Sequence, residues 1–290
     1  SFLLCFCVVA FGAYVRLTDA GLGCPDWPGC YGRVIAPTAE HAVRTAEAAF
    51  GETVNVTKAW IEMLHRYIAT LLGFLILCMA ALAIRFRRDG LPVKTSLALL
   101  ALVIFQGMLG MWTVTLLLKP AVVTAHLLGG MATLSLLLWL WLGLQSPPTE
   151  RAPPRLRAFA LVALVAVVVQ IFLGGWTSTN YAALACTDLP TCHGQWWPAE
   201  DMDMGEAFVL WRGLGQNYEY GVLDHPARTA IHVVHRVGAV VVTLILLALI
   251  AYLLRAGRGL YRGMALLIGL ALVIQISIGL TIVVKHLPLL

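Results

Sequence analysis

The sequence predicts an all-α polytopic membrane protein built as two pseudo-symmetric four-helix bundles. Three observations predict it. Of 290 residues, 60% are hydrophobic and only 12% charged, about half the share found in soluble domains. The hydrophobic residues form long continuous runs. Such runs read as helices, because lipid offers the backbone no hydrogen-bond partners and open strands cannot span it. Motifs also recur in the same order in the two halves of the chain, the mark of a duplicated unit. This composition excludes a water-soluble enzyme and a disordered chain. It also argues against a nucleic-acid binder, since the net charge of +5 sits in short loops between apolar runs.

The spans read as 1–15, 59–84, 96–118, 121–143, 157–179, 227–254 and 262–284. The first run is shorter than the ~20 residues a span needs. It opens Ser1-Phe2-Leu3-Leu4 with neither Met nor a basic flank, which argues against a signal peptide. Leu287–Leu290 reads as the first turn of a further span. On this reading the intact protein has eight spans, with the terminal ones truncated here. The chain divides into an N-terminal half, 1–148, and a C-terminal half, 149–290, which lacks its last span.

Loop charge sets the expected orientation. Arg85, Arg87, Arg88, Lys94, Arg151, Arg155, Arg157, Arg255, Arg258 and Arg262 stand against only two acids, Asp89 and Glu150, in the three short loops. Those loops face the cytoplasm of a bacterial-type inner membrane. Loops 16–58 and 179–225 then face outward, the second with seven acids and one Arg. Cys24 and Cys30 lie in the first outward loop, Cys186 and Cys192 in the second, where an oxidising compartment allows each pair to form a disulfide. Cys5, Cys7 and Cys78 fall within spans and read as buried structural thiols. Trp27, Trp60, Trp112, Trp196 and Trp197 read as an interfacial belt.

The repeat is explicit. Cys24-Pro-Asp26-Trp-Pro28-Gly-Cys30 and Cys186-Thr-Asp188-Leu-Pro190-Thr-Cys192 share C-x-D-x-P-x-C at an offset of 162 residues. His65-Arg66 matches His235-Arg236 at 170, and Gln106-x-x-x-Gly110 matches Gln275-x-x-x-Gly279 at 169. Corresponding spans run in the same direction, which makes the repeat parallel about an axis normal to the membrane.

Ionisable groups inside spans are functional candidates. His65 and His126 lie about six and five residues inside spans that start outside, a depth of ~8–9 Å at the helical rise, and His235 sits at similar depth in its own span. Imidazoles from facing helices at equal depth can grip a haem iron axially; the alternative for each is an interhelical hydrogen bond. A partner of His126 in the last span is expected beyond Leu290. Glu62 stands three residues before His65, on the same face. It reads as an acid–base or cation-stabilising group beside a haem, or else as the i,i+4 ion-pair partner of Arg66. His232 holds the matching position in the second half. Arg66 and Arg236 read equally as partners of haem propionates or as side chains snorkelling to headgroups. His41, His193, His225 and His286 read as surface residues.

With Glu62-x-x-His65-Arg66, His126, His235-Arg236 and the loop text Arg16-Leu-Thr-Asp-Ala-Gly-Leu-Gly-Cys24-Pro-Asp-Trp-Pro in place, the sequence resembles the haem A synthase family over nearly its whole length. The resemblance implies eight spans in two four-helix halves. It implies oxidation of the C8 methyl of haem O to a formyl group by successive hydroxylation, yielding haem A for cytochrome c oxidase. It further implies that His65 and His126 ligate the substrate haem, that Glu62 is the catalytic carboxylate, and that His235 ligates a haem b cofactor. For Cys24/Cys30 it implies a redox or disulfide role, and for Cys186/Cys192 a structural disulfide. The implied partners are a haem O synthase as donor, the cytochrome c oxidase assembly machinery and an electron donor of unknown identity. The competing readings are a di-haem b-type electron-transfer cytochrome, which has no need of Glu62, a quinone-linked thiol oxidoreductase built on the loop cysteines, and a transporter with helices broken at Gly107-Met-Leu-Gly110 or Gly174-Gly175.

Overall fold

A computed structural model describes residues 1–145, 152–257 and 259–286. Glu150, Arg151, Arg258, the 148/149 boundary and the stub Leu287–Leu290 lie outside these residues. The described chain is all-helical: α1 (Phe2–Leu17), α2 (Glu40–Phe50), α3 (Val56–Arg85), α4 (Val93–Thr115), α5 (Pro120–Gln145), α6 (Pro154–Thr179), α7 (Met204–Ala207), α8 (His225–Arg255) and α9 (Gly259–Val284). Six of them, α3, α4, α5, α6, α8 and α9, are long and apolar enough to cross a membrane, and α1 is a shorter apolar helix. The protein is therefore a multi-pass membrane protein. The helices around Gly107, Gly110, Gly174 and Gly175 are unbroken.

Local chemistry sets the helix ends. Asn55 precedes α3 and its side chain accepts the Lys58 N–H at 3.1 Å, satisfying a donor the helix leaves open. Prolines stand in the first turns of α6 and α8, where the missing N–H costs nothing. The small helix α2, inside the first long loop, has alanines on its buried face. At 11 residues, with five polar or charged side chains, it carries no membrane-span signal.

Two compact units form. The first comprises Ser1–Thr149 with Gly213–Glu219, the second Glu150–Arg212 with Tyr220–Leu290. In the first, α1 packs on α3 and α5, and α4 packs on the same two helices. In the second, α8 packs on α6, α7 and α9. The segment Gly213–Glu219 joins the first unit because the Tyr218 N–H donates to the Leu117 carbonyl (3.0 Å) and the buried Lys119 ammonium donates to the Gly213 carbonyl (2.9 Å).

Apolar clusters lie both at the cysteine loops, around Cys24 and Cys30 and around Cys186 and Cys192, and further along the helices. Cys5, Leu72, Ile76, Leu99, Leu137 and Leu140 fill the first unit there. Leu156, Ala163, Leu249, Leu253 and Ala265 fill the second. Cys7 departs from the expected burial: it is exposed, whereas Cys5 is buried, because residues two apart on a helix cannot share a face. Cys78 is half-buried. The five belt tryptophans are all exposed.

Both cysteine pairs are disulfides, and the two loops share the same backbone bridge and the same aspartate turn. The Cys30 N–H donates to the Arg33 carbonyl at 2.7 Å, and the Cys192 N–H to the Gln195 carbonyl at 2.8 Å. Asp26 accepts the N–H groups of Tyr31 (2.6 Å) and Gly32 (2.8 Å). Asp188 accepts those of His193 (2.8 Å) and Gly194 (2.9 Å) and the Thr191 hydroxyl (2.6 Å). Those donors hold the Asp188 carboxyl well below the usual carboxylate range.

A carboxyl depressed in the fold stabilises it above its unfolded value of ~3.9 and loses that effect as pH falls toward the folded value. Thermal unfolding of detergent-solubilised wild type and Asp188→Asn is therefore expected to differ by a constant amount from pH 7 to 5. The difference shrinks below pH 4. One that grows on acidification contradicts the assignment.

Candidate functional site

Each disulfide loop is clamped to the helix below it by an arginine. Arg66 donates to the carbonyls of Asp26 (3.0 Å), Pro28 (3.3 Å) and Gly29. Arg236 donates to those of Asp188 (2.9 Å), Thr191 (2.7 Å) and Cys186 (2.8 Å). Each guanidinium thus ties the carbonyls of its loop to the helix that carries it.

Glu62 is 5% exposed. One carboxylate oxygen pairs with Arg66, and the other accepts the Cys24 N–H at 2.9 Å. The ion pair weighed for Glu62 is thus formed, and the carboxylate also anchors the loop at its first cysteine. His232, at the matching position, is equally buried. Its Nδ1 lies 2.9 Å from the Ala182 carbonyl and 3.4 Å from the Cys186 nitrogen. The two halves therefore use one helical position to hold one loop, with a charge in the first and an imidazole in the second.

His65 and His126 both lie in the first unit; His235 lies in the second. Each ring faces a glycine on a neighbouring helix. A Cβ added at Gly12 would stand 3.0 Å from His65 Cε1, one at Gly110 3.5 Å from His126 Cε1, and one at Gly174 3.4 Å from His235 Cε1. Among the described residues, no protein group hydrogen-bonds to Nε2 of any of the three. Nor do three His, Cys, Asp or Glu side chains cluster to bind a bare ion among those residues. Free Nε2 atoms over glycine-lined faces, without further donors, fit the axial needs of a macrocycle-bound iron. The glycines that face the histidines were read in sequence only as packing or helix-breaking signals, and Gly12 was passed over.

His41, His193 and His286, and His225 at the first residue of α8, are exposed, as expected. His193 also has Nδ1 3.2 Å from Asp201 and Nε2 3.1 Å from the Ala185 carbonyl, and it stacks on His225.

The fold and these buried groups define a multi-pass membrane protein with ionisable side chains held inside its helices. The chain matches the COX15-CtaA family, described as cytochrome oxidase assembly protein, over residues 1–290, and it belongs to that family. It is similar to the Heme A synthase of Shewanella oneidensis, 47% identical over 97% of this chain and 85% of that protein. It is also similar to those of Halalkalibacterium halodurans (30%, over 69% of this chain and 64% of that protein) and Sinorhizobium fredii (27%, over 98% and 80%).

Replacing Arg66 by Met strips the clamp and leaves Glu62 buried without its counter-charge, a loss of about 3 to 5 kcal/mol for a buried pair. The expected result is a large drop in thermal midpoint and rapid proteolysis of loop 16–58. Adding Glu62→Gln to Arg66→Met is expected to recover part of the drop. No recovery would show that the clamp, not the charge pair, carries the effect.

Proposed function

We propose that this protein acts as a haem A synthase, an oxidoreductase that converts haem O to haem A by oxidising the C8 methyl to a formyl group in successive hydroxylations. The observation that carries this reading is the first unit's pair of free imidazole nitrogens, His65 and His126, with the buried carboxylate of Glu62 one turn from His65. An electron-transfer cytochrome needs the imidazoles but not the carboxylate. The similarity to proteins named Heme A synthase supports the same choice.

In this reading His65 and His126 hold the substrate, haem O, and His235 holds a haem b cofactor in the second unit. Haem b, when bound, supplies one-electron transfer. The chain's own groups do the rest. The glycine opposite each histidine lets its imidazole pack closely against the neighbouring helix. Glu62 is fixed at both oxygens, so its charge is oriented before substrate arrives. A preorganised negative charge stabilises positive charge developing at a neighbouring carbon without reorganising. Arg66 holds that carboxylate in place and ties it to the disulfide loop.

The clustering of Lys and Arg in the loops opposite the cysteine loops supports an inner-membrane location with the disulfides on the periplasmic side. A membrane-embedded haem O synthase is the proposed donor, and the product is proposed to serve cytochrome c oxidase assembly.

The test is haem extraction and chromatography with a reduced pyridine-haemochrome spectrum, on protein co-expressed with a source of haem O. Haem b with haem O, hydroxylated haem O or haem A is expected. Glu62→Gln is expected to retain haem and form no haem A, a loss of at least ~100-fold for a preorganised charge. Haem b alone, unchanged in Glu62→Gln, favours the di-haem cytochrome. No haem at all sinks both readings.

A further inference from the structure

The three membrane histidines differ in what holds their second ring nitrogen. Gln106 on α4 reaches His126. With its carboxamide turned to satisfy both ends, its nitrogen lies 2.7 Å from His126 Nδ1 and 3.1 Å from the His126 carbonyl, and its oxygen 2.9 Å from the Gly130 nitrogen. Gln170 on α6 does the same for His235, with its nitrogen 3.1 Å from Nδ1 and 3.2 Å from the His235 carbonyl. Each glutamine stands four residues before the glycine that faces the same ring, Gly110 or Gly174. Each also enters over a glycine three residues after the histidine. A Cβ at Gly129 would overlap the Gln106 carboxamide, and one at Gly238 would stand 2.4 Å from Gln170 Oε1. The device is Q-x-x-x-G on one helix and H-x-x-G on its neighbour.

His65 lacks both parts. Val8 stands four residues before Gly12, and Ile68 three after His65. Nδ1 of His65 is buried and has no hydrogen-bond partner. The facing glycine is kept and the brace is not.

We propose that Gln106 and Gln170 are positioning residues that fix the ring orientation of His126 and His235, and that unbraced His65 is the ligand that releases when the bound macrocycle is exchanged. The inference rests on the haem reading above. A histidine that gives its Nε2 lone pair to iron carries its proton on Nδ1, which then needs an acceptor. In the structure each carboxamide presents its nitrogen to Nδ1; turning Gln170 end for end brings Oε1, buried and without a partner, to Nδ1 as the acceptor that a loaded histidine requires. An acceptor at Nδ1 stiffens the ring and makes the imidazole a more basic ligand. A resident cofactor is best held by braced ligands. A substrate that enters as one haem and leaves as another needs one ligand that lets go.

The test uses the full-length haem-loaded protein. Gln170→Glu presents a stronger acceptor and is expected to lower the midpoint potential of its haem. Gln170→Leu removes the acceptor and is expected to raise it. Both should move the low-spin EPR g-values, which a merely structural glutamine would leave in place. Haem transfer to apomyoglobin is expected to quicken about 10-fold or more in Gln170→Leu. Grafting the brace onto the first site, Val8→Gln with Ile68→Gly, is expected to slow transfer of its haem by a similar factor. Unchanged potentials and g-values in haem-replete Gln170 variants overturn the bracing role; an unchanged transfer rate in the graft overturns the release role. Wild-type protein with no haem in its pyridine-haemochrome spectrum overturns the haem reading itself, and this inference with it.

Discussion

The rest of this structure depends on two half-buried arginines. A guanidinium cannot give up its charge, and inside an apolar helix bundle it must be surrounded by acceptors. Arg66 and Arg236 solve this by drawing in the carbonyls of the cysteine loops. The requirement works in both directions. The loops have carbonyls that no helix or strand satisfies, and the arginines have donors that no lipid satisfies. Each disulfide keeps its loop in the shape that aims those carbonyls at the arginine. The histidine next to each arginine in sequence is thereby placed beneath a loop that is rigid and tied down.

The two halves share this scaffold and part company at one position. Where the first half has Glu62, bonded to Arg66 and the Cys24 N–H, the second has His232 beside Ala182 and Cys186. Duplication explains why both side chains face the loop. It does not require that they do the same thing there. A charge carried in only one half belongs to something only that half does.

The spans were legible almost to the residue, because a bilayer forces one answer on any long apolar run. Boundaries moved by a few residues where a cap or a proline extended a helix, as Asn55 does for α3. The helix α2 was not legible, since a short helix with five polar or charged side chains has no membrane signal. His65, His126, His235 and Glu62 were legible because an ionisable residue in an apolar run stands out. Gln170 was not. The comparison of the halves pairs Gln106 with Gln275 and passes over Gln170-x-x-x-Gly174, which pairs with a histidine on the next helix, not with its repeat counterpart. Arg66 and Arg236 were visible as residues but not as clamps, because their acceptors are backbone carbonyls, which sequence does not display.

The segment Gly213–Glu219 lies in the loop of the second half, yet it is built into the first unit through Leu117 and Lys119. During synthesis, then, the first unit cannot be finished when its own helices have emerged. Its last piece arrives only after α6 and α7 have been made. The halves of a duplicated chain are often pictured as beads that fold in turn. Here the earlier bead waits for a thread from the later one, so two separately expressed halves would leave the first with Lys119 buried and its carbonyl acceptor on another molecule.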